Sequence, residues 1–397
     1  MAILNTLDPR KFMTLVPSRE AEIAKAEAKP LPKVYPINAL AAALHPVCQH
    51  LVVSKVTELA PDCKCYELTP DASKGTESLA YFNAGKYLSF TLPVDGDTLT
   101  RPYSIASSPK EALGGVYKVI IKYVPGGKAS RYILDNWAVG TKVDASAPEG
   151  NFDYNRLRDA KHVIGVAGGS GITPFLSFAK AIAGGDEDFD LTILYGSRTH
   201  DNILCRDQLD TLAANCKNLH VVHVLSDEEV DGYEHGFITA ELIKKYAPKD
   251  EPYSVFLSGP QNMYRFVDKE LEKLGLAKKY IRHELFGEIH DAATIPGYPG
   301  CASETVNITV KIRDEVRTVS GSSKDTILQI LEQNGVAAPS HCRSGECGYC
   351  HSRLLSGEVF VPDNMDYRRI ADLQFGYIHP CCTFALGDIS IEVPFKK

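Results

Sequence analysis

The stretch Cys342-Arg343-Ser344-Gly345-Glu346-Cys347-Gly348-Tyr349-Cys350 sets three cysteines at the spacing C-x4-C-x2-C, and Cys381 and Cys382 follow farther along. Five of the chain's 11 cysteines thus fall in one short region at tight, unequal intervals, which points to metal binding and not to a disulfide framework. Three thiolates on one loop grip one side of a metal group, and a fourth brought in by the fold completes the coordination. Gly345 and Gly348 lie where the backbone must pass close to that group. Glycine takes left-handed dihedrals freely and lets N–H groups face negative charge. The other six cysteines, Cys48, Cys63, Cys65, Cys205, Cys216 and Cys301, obey no ligand spacing and read as small packed thiols.

The spacing is that of a plant-type [2Fe-2S] site with Cys342, Cys347 and Cys350 as ligands. The fourth ligand is Cys381 or Cys382. With Cys381 chosen, Gly376 lies five residues before it and the run DISIEV begins seven residues after, the layout of plant-type ferredoxins. Cys382 is then an inert neighbour. Zinc is the rival metal, but a zinc knuckle uses paired C-x2-C units and only one is present.

Working outward, VNITVKI (306–312) and VRTVS (316–320) read as a hairpin, and DTILQILEQNG (325–335) as a capped helix ending at Gly335. A linker at 293–301, containing IPGYPG, precedes this C-terminal domain of 302–397. Upstream, HVIGVAG, LTILYGS, HVVHVLS and SVFLSG alternate with helical stretches such as PFLSFAKAIA and QLDTLAANC, so 157–292 reads as an α/β domain with a parallel sheet. Between 46 and 156, short runs such as HLVVSKV, YLSFTL and VYKVIIKYV are parted by Gly and Pro turns, as in a small antiparallel barrel. Residues 1–45 form an extension: SREAEIAKAEAK has helical composition, then prolines interrupt it.

A chain of 397 residues, 44% hydrophobic, can bury two or three cores. Its net charge of −7 arises from 50 acidic and 43 basic residues without long blocks, so nucleic acid is not the expected partner. No apolar run reaches the ~18 residues of a membrane span, and the start lacks a secretory pattern. The expected location is the cytoplasm.

Arg101-Pro102-Tyr103-Ser104-Ile105 follows the run YLSFTL. An arginine fork suits a phosphate, an aromatic ring stacks on a flat heterocycle and a hydroxyl can reach a ring nitrogen, so the set suits a flavin. Taken alone it reads as an ordinary strand with an exposed arginine. Gly126-Gly127-Lys128-Ala129-Ser130 then opens the helix SRYILDNW, where N–H groups can face a pyrophosphate. Gly165-Val166-Ala167-Gly168-Gly169-Ser170-Gly171-Ile172-Thr173-Pro174 sits where a strand passes into a helix, the place for a phosphate-cradling loop, although it departs from G-x-G-x-x-G.

From about residue 46 to the end, these motifs together resemble the ferredoxin–NADP reductase superfamily, with its R-x-Y-S flavin motif and GGSGITP nucleotide loop. The order of domains is similar to the reductase components of aromatic-ring oxygenases, of phenylacetyl-CoA epoxidase and of the hybrid-cluster protein. The resemblance implies an antiparallel β-barrel flavin domain, an α/β parallel-sheet nicotinamide domain and an α+β β-grasp ferredoxin domain. It also implies that Arg101 holds phosphate, Tyr103 stacks on the flavin and Ser104 sits near its N5 atom, with Pro102, Gly127, Lys128, Ala129 and Ser130 completing the flavin site. Members with FAD and members with FMN share this order of domains. RPYSIASSP followed by GGKAS looks like FAD-type members, whereas the phthalate-dioxygenase type usually shows G-x-G-G-S.

For the nucleotide, the resemblance implicates Gly168, Gly169, Gly171 and Thr173, with Thr173 donating. Ser258-Gly259-Pro260 stands where the family usually has C-G-P, so Ser258 replaces the cysteine near the hydride-transfer carbon. His283-Glu284-Leu285-Phe286 stands where the family usually has a glutamate-bearing aromatic segment, and both stretches would approach the nicotinamide and flavin rings, with Phe286 read either so or as a core aromatic. Ser197 and Arg198 could take a 2′-phosphate, yet no further basic residue follows before Arg206, which favours NADH over NADPH. The implied function is hydride transfer from NAD(P)H to FAD, then single electrons through [2Fe-2S] to a protein acceptor: an oxygenase, a reductase or a metallo-cofactor enzyme. The alternatives are a non-autonomous electron-transfer subunit of a larger complex, or reverse flow from a low-potential donor to NAD.

Overall fold

The computed structural model describes residues 9–26, 33–94, 96–284 and 291–394. Phe286 lies outside them. Residues 1–43 form a unit of their own. Its helix α1 (Pro9–Lys25) begins ahead of the stretch read as helical and runs through Pro17. Pro36 opens α2 (Pro36–Leu44), a position where its missing N–H costs little.

In the second unit, β1 (Gln49–Ala60), β2 (Cys63–Pro70), β3 (Tyr87–Val94), β4 (Asp97–Ser104), β5 (Tyr117–Lys122) and β6 (Lys142–Ala145) form one antiparallel sheet in the order β4-β3-β6-β1-β2-β5. A bridge between Ile105 and Val119 joins the two outer edges and closes a barrel. Alternate residues such as Leu51, Val53, Leu88, Phe90, Val119 and Ile121 fill it. Trp137, after α4 (Lys128–Asn136), plugs one end, its ring edge-on to Tyr66 at 5.4 Å and Phe90 at 5.2 Å. The short α3 (Pro109–Leu113) carries a capping box between Ser108 and Glu111.

Strands β7 (His162–Gly168), β8 (Asp190–Ser197), β9 (Leu219–Leu225), β10 (Glu234–His235), β11 (Tyr253–Ser258) and β12 (Ile281–His283) are all parallel, in the order β10-β9-β8-β7-β11-β12. Helices α5 (Ile172–Ala183), α6 (Arg206–Ala214), α7 (Ala240–Tyr246) and α8 (Gln261–Glu272) connect them. Strand order reverses between β7 and β11, so a crevice opens at their carboxyl ends. Phe152, which ends the barrel segment, packs 5.7 Å from Phe175 and 5.2 Å from Phe256 of this domain. Barrel and parallel sheet therefore share one apolar core.

The last domain pairs β13 (Thr305–Ile312) antiparallel to β14 (Glu315–Ser322) and parallel to β19 (Ile389–Glu392), giving the sheet order β14-β13-β19-β15-β17. Here β15 is Ser352–Ser356 and β17 is Tyr377–Ile378; β16 (Val359–Phe360) and β18 (Phe384–Ala385) make a separate pair, and α10 (Ile370–Gln374) lies between. Helix α9 (Ile327–Gln333) starts with a capping box: Thr326 Oγ1 accepts from Gln329 N, and Gln329 Oε1 accepts from Thr326 N. It buries Ile327, Ile330 and Leu331 against the sheet.

Candidate functional site

Ser104 ends β4 of the barrel and Ser258 ends β11 at the switch point, and one carboxyl joins them. Ser104 Oγ donates to Glu284 Oε1 at 2.9 Å, and Ser258 Oγ donates to Oε2 at 2.8 Å. The Glu284 backbone is pinned as well: its N–H donates to Leu257 O at 2.9 Å, and its carbonyl accepts from the Tyr264 hydroxyl. That hydroxyl in turn accepts from Gly259 N at 3.2 Å. Ser104, Ser258, Tyr264 and Glu284 are all buried. Burial pushes the Glu284 carboxyl up to about 8, and the hydrogen bonds from Ser258 and Ser104 oppose that rise only in part.

On the barrel side, Tyr103 packs tilted against Phe90 at 6.2 Å, and burial raises its phenol above the ordinary range. Pro102 pairs with Ser89 in the neighbouring strand. Arg101 Nη1 donates to Thr100 O at 2.9 Å. Gly127 is the N-cap of α4 and supplies no side-chain cap, so Lys128, Ala129 and Ser130 lie inside the first helical turn and not in a loop ahead of it. Ser130 Oγ accepts from Val124 N at 3.1 Å. A helix start without a capping side chain offers free N–H groups to a phosphate, and on β4 an arginine and a partly buried tyrosine suit a phosphate and a flat ring, so the barrel's donor set fits FAD.

On the nicotinamide side, Gly168 ends β7 and Gly169 has φ +53°. A Cβ on Gly171 would collide with the Ser258 backbone, and one on Gly259 would meet Met263 Sδ at 2.6 Å. The two glycine-bearing loops thus meet backbone to backbone at the carboxyl ends of β7 and β11, where the strand order reverses. Thr173 Oγ1 donates to Ser170 O at 2.8 Å, so its proton is committed within the loop. Ser197 Oγ is buried with no hydrogen-bond partner among the described residues, and Arg198 is exposed. Arg198 O accepts from Asp227 N at 3.0 Å, and the Glu228 carboxylate accepts from His200 N, which sets acids beside this loop.

The cysteine loop passes through left-handed dihedrals at Arg343, Gly345 and Gly348. A Cβ on Gly345 would lie 2.6 Å from Met365 O and 2.7 Å from Cys382 Sγ. Cys342, Cys350, Cys381 and Cys382 are buried, and Cys347 is exposed. Sulfurs accept from backbone N–H groups: Cys342 from Ser344 (3.5 Å) and Cys347 (3.4 Å), Cys347 from Tyr349 (3.4 Å), and Cys381 from Gly345 (3.2 Å). Cys350 Sγ lies 3.4 Å from Cys381 Sγ. Cys382 instead directs its thiol at carbonyls, His379 O at 3.5 Å and Met365 O at 3.6 Å. Converging sulfurs ringed by N–H donors, with Ser344 Oγ buried and partnerless among the described residues, fit a [2Fe-2S] group.

This loop rests on the barrel. His341 Nδ1 lies 2.7 and 2.9 Å from the two Glu149 oxygens and its ring stacks on Tyr349 at 3.5 Å, while Asn151 donates to Glu346 at 3.2 Å. Exposed Cys347 borders a cleft of ≈ 570 Å³ that Tyr81, Lys86, Tyr87 and Asn151 also line. A separate group, Cys48, His50 and Asp144, brings ligand atoms within 4.8 Å of one another where β1 pairs with β6, although Cys48 shows no ligand spacing in sequence. Glu332 and His341 belong to no motif, Glu284 lies in the segment read as glutamate-bearing and aromatic, and Arg343 lies in the cysteine loop without a role assigned to it. The signal available for each was a charged side chain set among apolar or small residues.

Residues 50–154 match the oxidoreductase FAD-binding domain family, 166–269 the oxidoreductase NAD-binding domain family, and 310–386 the 2Fe-2S iron-sulfur cluster binding domain family. The chain is 30% identical over 320 residues to the ferredoxin reductase component of 3-ketosteroid-9-alpha-monooxygenase from Mycobacterium tuberculosis, covering 79% of this chain and 85% of that protein. It is 26% identical over 324 residues to a subunit of 1,2-phenylacetyl-CoA epoxidase from Escherichia coli, covering 79% and 89%. Its fold is similar to that of phthalate dioxygenase reductase, with a TM-score of 0.61 and 24% identity over 87% of this chain and 98% of that one.

Proposed function

Because this chain belongs to the ferredoxin–NADP reductase superfamily, in the group whose FAD and NAD domains are followed by a 2Fe-2S domain, we propose that it is an NADH-dependent reductase serving a separate oxygenase protein. Its modules are then 46–156, 157–292 and 302–397, with 293–301 as linker and 1–45 as an extension. The observation that carries the reading is the junction of Ser104 and Ser258 on Glu284, which ties the end of the R-x-Y-S strand to the nucleotide crevice.

FAD and [2Fe-2S], when bound, supply the conversion of a two-electron reductant into single electrons and their outlet to a protein acceptor, so the chain needs no acid–base dyad of its own. Arg101 and the first turn of α4 would hold the flavin phosphates, and Tyr103 its ring. Gly168, Gly169, Gly171, Gly259 and Pro260 would let the nucleotide approach the backbone. Cys342, Cys347, Cys350 and Cys381 would hold the cluster. Glu284 orients both serine hydroxyls, and its burial, which raises the carboxyl to about 8, favours the neutral form in the junction. Burial of these groups excludes water.

Preference for NADH is supported by Asp227 and Glu228 beside the Ser197–His200 loop, since a carboxylate repels a 2′-phosphate. An oxygenase as acceptor is supported by the names of the relatives, one a monooxygenase component and the other part of an epoxidase. The purified chain, mixed with NADH or NADPH and with ferricyanide or cytochrome c, tests this. We expect turnover of both acceptors without another protein and kcat/KM for NADH at least about tenfold above NADPH, a difference of ~1.4 kcal/mol. No turnover of either acceptor would overturn the autonomous reductase in favour of a subunit role.

A further inference from the structure

Glu332, near the end of α9, faces both electron-transfer domains. Arg343 of the cysteine loop grips it in a fork, Nη1 to Oε1 at 2.6 Å and Nη2 to Oε2 at 2.8 Å. The Arg343 side chain is 1% exposed, and its backbone is held at φ +59°, a region that costs most non-glycine residues energy. The same carboxylate lies 3.8 Å from Arg101 Nη1, outside hydrogen-bond distance but within ion-pair range. Arg101 belongs to β4, two residues before Tyr103 and three before Ser104, and α9 packs against that strand.

Two guanidinium groups thus share one carboxylate. Arg343 is the more deeply buried of the two and takes both carboxylate oxygens, so the carboxylate is fixed from the ferredoxin side and steers Arg101 from there.

We propose that Glu332 is a positioning residue that seats the ferredoxin domain on the flavin strand and aims the Arg101 guanidinium, coupling flavin retention to docking of the cysteine loop. The retention half rests on the reading of Arg101 as a phosphate ligand; the docking half does not. The contacts of His341 with Glu149 and of Asn151 with Glu346 lie elsewhere on the same interface, so loss of Glu332 loosens the domain without releasing it.

The test uses the full chain, with FAD and after its removal, as Arg101→Gln, Glu332→Gln and the double variant. Arg101→Gln leaves the ferredoxin domain's own Arg343–Glu332 fork intact, so docking remains measurable even if Glu332→Gln folds poorly. In flavin-free protein, amide exchange across 327–350 should quicken in Arg101→Gln by about fivefold, and in the flavin experiment Glu332→Gln should weaken FAD binding by about tenfold. The double variant should lose less FAD affinity than the two single losses combined, since both act through one contact. Unchanged exchange in Arg101→Gln overturns the docking half. FAD affinity in Glu332→Gln within twofold of the parent, or strictly additive losses, overturns the coupling. Unchanged FAD affinity in Arg101→Gln would instead remove Arg101 from the flavin site while leaving the exchange result to decide docking.

Discussion

The barrel meets the nicotinamide domain through hydroxyls gathered on one buried carboxyl, Ser104 and Ser258 on Glu284, and meets the ferredoxin domain through polar and charged side chains, Arg101 with the Glu332 that Arg343 holds and Glu149 beside the His341 ring. Behind the first junction lies a shared apolar core, where Phe152 sits among Phe175, Phe178 and Phe256. Behind the second lies none among the described residues: the ferredoxin cores contain no residue of the barrel. A continuous core welds two domains into one body, whereas charged contacts can be weakened by ions or competing groups. The welded junction therefore serves transfer between fixed partners, and the charged one is built for alignment.

The largest effect should come at the far end of the charged interface. Cys381→Ser should abolish iron binding and Cys382→Ser should preserve it, measured as iron per chain, because Cys381 accepts a backbone N–H while Cys382 spends its proton on carbonyls. The reverse pattern would shift the ligand register by one residue.

Next in size, Glu284→Gln should slow flavin reduction by NADH by about tenfold in stopped-flow absorbance, because the amide nitrogen cannot accept from one of the two serine hydroxyls. The inflection near pH 8 in that rate should vanish with it. The sign of the stability effect follows from the raised pKa. Folded protein keeps a proton that unfolded chain releases above about pH 4.5, so stability falls as pH rises from there to about 8 and then levels off. Glu284→Gln should flatten that slope in denaturant titrations across the range. An unaltered slope would mean that the junction carboxyl is not neutral.

A smaller change, Ser258→Ala, removes one hydrogen bond worth about 1 kcal/mol and should slow the same step about fivefold. The smallest effect sharpens the contrast itself. Raising salt should quicken amide exchange at 341–349 by about twofold while leaving the core around Phe152 unchanged, since screening acts on charges and spares apolar contacts. Equal quickening at both places would erase the distinction between welded and charged interfaces.

The cysteine loop was legible in sequence because its chemistry is local: C-x4-C-x2-C and two glycines at positive φ sit within nine residues. The R-x-Y-S and GGSGITP motifs were legible for the same reason. Glu284 was legible only as part of a segment that the family resemblance set near the rings, and its bond to Ser104, 180 residues away, was not, since a single glutamate in IRHELF carries no spacing. Glu332 is concealed by its helix, where the apolar pattern of ILQILEQ explains the fold and leaves its one glutamate looking like solvent-facing charge. Helix α4 starts ahead of the run SRYILDNW, because Lys128 and Ala129 are tolerable helix residues once Gly127 takes the N-cap.

The central claim is that NADH electrons reach a sulfur-ligated iron pair in this one chain. Anaerobic addition of NADH to the purified protein, followed by electron paramagnetic resonance with iron and acid-labile sulfide counts on the same sample, tests it most directly. The account predicts about two irons and two sulfides per chain, and a reduced-cluster signal that grows as the flavin is reduced and re-oxidised. Folded, flavin-loaded protein with neither iron nor sulfide would contradict it.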